Sequence, residues 1–401
     1  MCIVNICRFR RVNWFIGQDN CFLSRKTSQG AKCSKSFSRG IRWLYDWFKK
    51  MKMKFRLVSL SAPIVALIIS FGLSSLILLF IGKNPYETFQ IMFEYGIRGK
   101  SIVSIINRSI PLYISAIAVA VGFKMGLFNI GVEGQYLMGS LIAAYIGAQF
   151  SIITPLHILF IIIVAVATSS MWAAIAGYLK VEKGIHEVIS TIMLNYIGTG
   201  LIAYSLKTFF DEPNSNYDLP RTTELPETGK MPSLNKFFNI EDLQDLHGFL
   251  AIAVLVGIFY YWLVWKTTLG FDLRITGSNP IAAKFSGINP NRLIVIAMIT
   301  SGGFAGLVGL APLLGYFHRY TIDFPTGLGF AGIGVALLGR NHPFGMAIGA
   351  LLFAFLQRSA QILDLNDVPK EIEQMMQAFI LLIVVVFYEV IRRFIVKQQI
   401  K

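Results

Sequence analysis

The chain has 401 residues, 54% of them hydrophobic and only 15% charged, a balance that excludes an ordinary soluble domain and makes lipid its main solvent. A formal net charge of +15 resembles a nucleic-acid signature until it is mapped. Residues 1–56 hold 14 Lys and Arg against Asp19 and Asp46, which leaves only +3 for the other 345 residues, so no nucleic-acid partner is expected.

The first element is this basic stretch, residues 1–56, an N-terminal extension expected to be poorly ordered or to lie along anionic headgroups. By the positive-inside rule it holds the N-terminus in the cytoplasm. It carries all four cysteines, Cys2, Cys7, Cys21 and Cys33. Their irregular spacing, with no histidine among them, fits no zinc pattern, and a cytosolic location keeps them reduced. The stretch lacks the apolar core and small-residue cleavage site of a signal peptide. Met51 or Met53 is an alternative start, because Met51-Lys-Met-Lys-Phe-Arg directly precedes an apolar run.

From residue 57 to 396 the sequence reads as a membrane domain. Leu57 to Ile81 has no charge over 25 residues, longer than a hydrocarbon layer of roughly 30 Å requires at helical rise. Nine further apolar runs follow: Ile102–Phe123, Leu127–Gln149, Ile152–Leu179, Val188–Leu206, Gly248–Trp265, Leu293–Leu314, Phe324–Gly339, Pro343–Leu363 and Met375–Val396. The turns with Lys124, Lys180 and Lys183, the loop 266–292, Arg340 and the C-terminal tail then share the cytoplasmic side, and each is basic. The opposite set, 83–100, 207–247, 318–323 and 364–373, holds 15 acids against nine bases, which supports both termini inside.

Two of the runs are interrupted. Leu127–Gln149 contains Gly131, Glu133 and Gly134, and Phe324–Gly339 is short and rich in glycine, from Gly327 to Gly339. Both read as broken or re-entrant helices, tolerated only where protein or a hydrated cavity covers the loosened backbone. One in each half points to a solute pathway between two related halves. Gly302 with Gly306, and Gly345 with Gly349, read instead as close-packing faces. The loop 207–247, with Pro213, Pro220, Pro226 and Pro232, is an extracytoplasmic excursion.

No catalytic constellation is visible. Gly99-Lys100-Ser101 lacks the upstream glycine of a phosphate loop, and Ser190 stands where a zinc-protease helix beginning His186-Glu187 needs its second histidine. The chain is therefore expected to be no enzyme and to hold no metal. Polar groups inside apolar runs are the functional candidates instead. Asn129, Glu133 and Gln135 either face a hydrated cavity and bond a solute, or Glu133 caps a neighbouring half-helix N-terminus. Asn195, an amide in an apolar helix, needs a partner. Phe128, Phe317 and Phe330 are able to stack a base while Asn107, Asn129 and Asn195 bond a ribose, although packing explains each phenylalanine singly. Arg108 and Arg358, near the outer ends of spans, read as snorkelling. In the loop 266–292, Asn279 suits a cap, Pro280 a first helical position and Gly287 a terminator.

Four blocks carry a resemblance: Gly126-Leu-Phe-Asn-Ile-Gly-Val-Glu-Gly-Gln, Glu187-Val-Ile-Ser-Thr-Ile-Met-Leu-Asn-Tyr196, Thr276-Gly-Ser-Asn-Pro-Ile-Ala-Ala-Lys-Phe-Ser-Gly-Ile288 and Gly332-Ile-Gly-Val-Ala-Leu-Leu-Gly-Arg340. In this order, over roughly Leu57 to Arg393, they resemble the permease subunits of bacterial ABC importers. The resemblance is to the nucleoside, simple-sugar and branched-chain amino acid family, and within it to the nucleoside branch. It implies an all-α polytopic membrane protein of about ten transmembrane helices in two related halves, placed in the bacterial plasma membrane. It further implies that Ser278, Asn279, Pro280, Ala282, Ala283 and Gly287 form a coupling helix seated on a separate ABC ATPase, which binds the ATP while this chain holds no cofactor. The other implied partners are a second permease subunit, identical or not, and an extracytoplasmic solute-binding protein. A sugar such as ribose, or an ion-coupled carrier, are the rival functions.

Overall fold

The computed structural model describes residues 65–212, 219–235, 245–366, 368, 369 and 371–400. The expectations for the basic extension and its cysteines, for the first eight residues of the first apolar run and for Pro213 lie outside the described residues. Within them the chain is all-helical, and its only extended pairings are two isolated bridges, Arg221 with Thr321 and Ser233 with His247.

In chain order the helices are α1 (Val65–Phe80), α2 (Pro85–Gly96), α3 (Gly99–Met125), α4 (Val132–Ala148), α5 (Thr154–Lys183), α6 (Glu187–Thr208) and α7 (Phe249–Lys266). They continue as α8 (Thr268–Ser278), α9 (Pro280–Phe285), α10 (Pro290–Gly306), α11 (Leu328–Leu338), α12 (Pro343–Ala360) and α13 (Ile372–Ile400). Beyond α10 the chain runs on through Leu310–Pro312 into a π turn, Leu313–Phe317. Each of the ten apolar runs carries a helix, because in lipid the backbone must satisfy its own polar groups.

Among the described residues six helical stretches, α10 being counted with its continuation to Phe317, are long and apolar enough to cross a bilayer, and the pair α1 and α2, bent by 119°, makes a seventh crossing if taken together. The sequence suggested ten. Two of the three remaining runs fall short at the glycine breaks, where residues 127–131 and 324–327 leave the helix, so α4 keeps 17 residues and α11 only 11; the third is the run within α13. α2 lies within 83–100, a stretch the sequence placed only among the connections between apolar runs. Its local signal was present, since Asn84 accepts from the Tyr86 amide at 3.1 Å and Pro85 opens the helix.

The principal packing repeats. α10 lies on α5 as α3 lies on α12; α4 meets α10 as α11 meets α3; and α4 packs on α5 as α11 packs on α12. Exchanging α3, α4, α5 for α10, α11, α12 maps these contacts onto one another, which is how two related halves are expressed in space. Close approach makes this possible at Gly302, where an added Cβ would stand 2.4 Å from Ala173 Cβ and 2.7 Å from the Ser169 carbonyl, and at Gly306, 2.6 Å from the Ala165 carbonyl.

The bundle has two distinct ends. At one, the 219–235 segment is tied down by Thr222, Leu225 and Met231, whose amides donate to the carbonyls of Tyr320, His318 and Leu314. Asn107 joins the same end by donating to the Asp245 carbonyl at 2.8 Å and accepting from the His247 amide at 3.0 Å. At the other end stand α8, α9 and the turn between α11 and α12. Of the described loop residues, Lys83, Tyr95, 219–235 and 318–323 belong to the first end, and Lys124, 266–287 and Arg340 to the second.

Candidate functional site

The first break, residues 126–131, begins where α3 ends at Gly126, in the left-handed conformation at φ 75°. The freed backbone is braced by a buried polar knot. Asn129 and Gln135 exchange amide hydrogen bonds at 3.1 Å, Asn129 Nδ2 also donates to Ser301 Oγ at 2.8 Å, and its Oδ1 accepts from the Gly131 amide at 3.0 Å. Asn195, from α6, caps α4 from outside: its Oδ1 accepts from the Gly134 amide at 2.9 Å and its Nδ2 donates to the Ile130 carbonyl at 3.0 Å. Glu187 accepts from the Phe128 amide at 3.3 Å and pairs with Lys180.

The second break meets the first. Glu133 accepts from the amides of Gly327 at 2.6 Å and Gly329 at 2.8 Å, so the carboxylate of one half-helix sits on the N-terminus of the other. The Tyr136 hydroxyl lies 2.9 Å from the same carboxylate and 2.8 Å from the Pro325 carbonyl. Only glycine fits at 329, where an added Cβ would stand 2.6 Å from the Glu133 amide nitrogen. Of the two roles open to Glu133 in the sequence, the structure places it as the cap of a neighbouring half-helix. Asn129, Glu133, Gln135 and Asn195 are all buried. In this conformation their polar atoms are occupied by the protein itself.

A different set of residues surrounds open space. A cavity of about 560 Å³ lies between α3, the π turn after α10, the start of α11 and the end of α12. Asn107 and Phe317 line it, together with Arg108, Tyr316, Gln357 and Arg358. Phe330 is half exposed and lines an adjoining space of about 380 Å³ that shares Leu328 and Gln357 with the first. Phe128 is instead packed on Phe123, ring centroids 5.1 Å apart, at the opposite end. The eight residues proposed from sequence thus divide: two in the main cavity, one beside it, four in the knot and one at the base of the break.

Arg108 and Arg358, read as snorkelling, both face the cavity. Arg358 lies over the Tyr95 ring of α2 at 4.9 Å and donates to Gln361 at 2.5 Å, while its buried Nε has no partner among the described groups. Tyr316, Gln357 and Gln361 were not singled out either. The available signal was that two cations occur at matching depth in separate apolar runs with no acid one turn away.

At the opposite end, α9 is capped as its residues suggested: Asn279 Oδ1 accepts from the amides of Ile281 at 3.1 Å and Ala282 at 3.0 Å, Pro280 opens the helix, and Gly287 follows it at φ 80°. Ala283 is fully buried, whereas Ala282 is exposed and Ile281 and Phe285 stand 70% and 89% exposed. Ser278 closes α8. Its neighbour Gly277 presses on the end of α3, where an added Cβ would stand 2.4 Å from the Lys124 carbonyl and 3.0 Å from the Gly126 amide nitrogen.

A many-helix membrane protein with two interlocked broken helices, a polar cavity at one end and a short exposed helix at the other is the membrane component of a transporter. Residues 101–385 match the family model described as branched-chain amino acid transport system / permease component, and the chain belongs to that family. It is 33% identical to the guanosine ABC transporter permease protein NupP of Bacillus subtilis over 84% of this chain and 95% of that one. With the nucleoside ABC transporter permease protein NupB of Lactococcus lactis it shares 31% over 81% and 90%. With the glucose ABC transporter permease protein TsgB13 of Haloferax volcanii the figures are 26% over 80% and 86%.

Proposed function

We propose that this chain is the membrane-spanning, non-catalytic subunit of an ATP-driven importer that moves nucleosides by alternating access. The observation that carries the solute class is the 560 Å³ cavity, where Tyr316 and Phe317 offer ring faces beside the amide and guanidinium donors of Gln357, Arg108 and Arg358. A nucleoside presents a flat base to stack and several acceptors to bond, and stacking accepts any base. The names of the relatives from Bacillus and Lactococcus support the same class.

ATP is consumed by a separate ATPase, and this chain binds no cofactor. α9 is the element offered to that ATPase, because Ile281 and Phe285 are bare apolar side chains on a capped, anchored helix. Motion of α9 passes through Gly277 to Gly126, the point at which α3 gives way to the first break. The break in turn holds α11 through Glu133, so both half-helices respond together. A second permease subunit and an extracytoplasmic solute-binding protein complete the complex in a bacterial plasma membrane, with both termini inside.

The test is uptake of labelled guanosine by proteoliposomes holding the complex. Import that requires ATP, and that unlabelled nucleosides but not ribose or glucose suppress, is the expected result. Import that continues without the ATPase and collapses with the ion gradient would establish an ion-coupled carrier instead. The relative named for glucose favours a sugar as second reading, and suppression by free sugar alone would establish it. Phe285→Asp should abolish uptake while solute capture by the binding protein stays intact; unaltered uptake would remove the assigned role of α9.

A further inference from the structure

A second cavity, about 540 Å³ and almost wholly apolar, opens between α3, α7 and α12. On α7 it runs from Leu250 to Tyr261, roughly 16 Å at helical rise, and Ala253 and Gly257 make its floor. Val254 and Ile258 at its edge are exposed, as is Phe344 at its far end. In a membrane domain such a trough faces acyl chains.

The end of the trough at Tyr261 and Phe344 leads directly to a basic and aromatic cluster. Tyr261 stacks on Trp265 with centroids 5.2 Å apart, His342 lies 5.6 Å from Trp265, and the Lys124 ammonium sits 4.9 Å above the Trp265 ring. Arg274 and Arg340 are near enough for their charges to act on Lys124. Among the described residues no carboxylate forms an ion pair with any of these three cations. Like charges gathered without a counter-charge repel one another, and an anion supplied from outside removes that repulsion.

The turn that presents Arg340 is itself unusual. Arg340 and Asn341 both adopt left-handed backbone, φ 56° and 54°, which costs energy for residues other than glycine. Tyr260 holds the turn by donating to the Asn341 carbonyl at 3.0 Å. The Asn341 Oδ1 is buried and has no partner among the described groups. This unused acceptor adjoins three cations that have no carboxylate in ion-pair contact among the described residues, although Arg274 Nε donates to the Gly270 carbonyl at 3.2 Å.

We propose that this groove and cluster form a binding site for an anionic phospholipid. One acyl chain lies in the trough along α7, the phosphate sits among Lys124, Arg274 and Arg340, and a headgroup hydroxyl donates to Asn341. Trp265 and Tyr261 occupy the level between chain and headgroup that amphipathic rings favour. The site lies at the α8 end of the bundle and shares no lining residue with the 560 Å³ cavity except Ile110.

Native mass spectrometry of the full-length chain, after incubation with vesicles of phosphatidylglycerol or of phosphatidylcholine with identical acyl chains, tests the assignment. The chain should retain phosphatidylglycerol at least about tenfold better, and Arg274→Gln with Arg340→Gln should remove that preference without lowering the melting temperature. Val254→Trp, which fills the trough, should reduce retention of both lipids. In the unmodified chain, raising ionic strength should weaken retention of phosphatidylglycerol alone. Equal retention of the two lipids, or a preference that survives both the charge variant and high salt, would overturn the proposal. Displacement of the bound lipid by excess inorganic phosphate would equally do so, because it would reassign the cluster to a free anion.

Discussion

The knot around Gly131 and the cavity beneath Arg108 contain the same kinds of side chain used in opposite ways. In the knot, Asn129, Gln135, Asn195 and Glu133 are buried and satisfied by one another and by freed backbone amides. In the cavity, the Arg358 Nε is buried without a partner among the described groups, and no described carboxylate stands within ion-pair distance of Arg108 or Arg358, although Glu373 of α13 is near enough for its charge to act on Arg108. Polar groups that are already paired hold a shape, whereas unpaired ones are free to recognise something. Burial in a membrane protein therefore identifies a polar residue as important without saying which of these two roles it has.

The contrast breaks most visibly at Glu133. Glu133→Ala strands the amides of Gly327 and Gly329 and should cost about 3–6 kcal/mol, read as a large drop in melting temperature and in the amount of chain reaching the membrane. Glu133→Gln should recover part of this loss, since its carbonyl oxygen still accepts. Gly302→Leu attacks the scaffold that supports the knot by driving a side chain into Ala173 and the Ser169 carbonyl; about 1–3 kcal/mol of destabilisation is expected in thermal unfolding.

Cavity substitutions should show the opposite signature. Gln357→Ala is expected to raise the KM for uptake about fivefold, the equivalent of about 1 kcal/mol, while the melting temperature stays unchanged. A fall in melting temperature with KM unmoved would place Gln357 with the bracing residues instead.

The smallest effect belongs to the surface segment 219–235. Glu224 is held below the usual glutamate range by its hydrogen bond from Lys230, with the charges of Lys230 and Arg319 adding to this. A carboxylate whose folded pKa is depressed contributes stability that is fully present above its unfolded value and is lost as pH falls through the folded value. Being 41% exposed, Glu224 should contribute within about 0.5 kcal/mol, so Glu224→Gln should flatten only slightly the acid limb of a melting profile below the glutamate range.

What the sequence disclosed follows the range of the interactions involved. α9 was readable residue by residue because Asn279, Pro280 and Gly287 act on their own neighbours. The two broken helices were readable from their glycines, and capping by Glu133 was one of two roles its position allowed. That Gly327 and Gly329 would be the donors, nearly two hundred residues away, has no local signature. The cavity was least legible for the same reason: Arg108 and Arg358 come together only because α3 packs on α12, and α2, with Tyr95, supports the second arginine. α2 itself was obscured by Glu87 and Glu94, whose charges interrupt the apolar run an amphipathic helix would otherwise show.

The contact between Gly277 and the end of α3 also bears on mechanics. Main chain meets main chain there, with no side chain between them to compress or change rotamer, so the joint has almost no slack. A stroke applied at α9 would reach the first break at nearly full amplitude. Widening the joint with Gly277→Ala would force the two segments apart and add play, so that less of any movement of α9 would arrive at the break, without touching the cavity or the exposed face of α9.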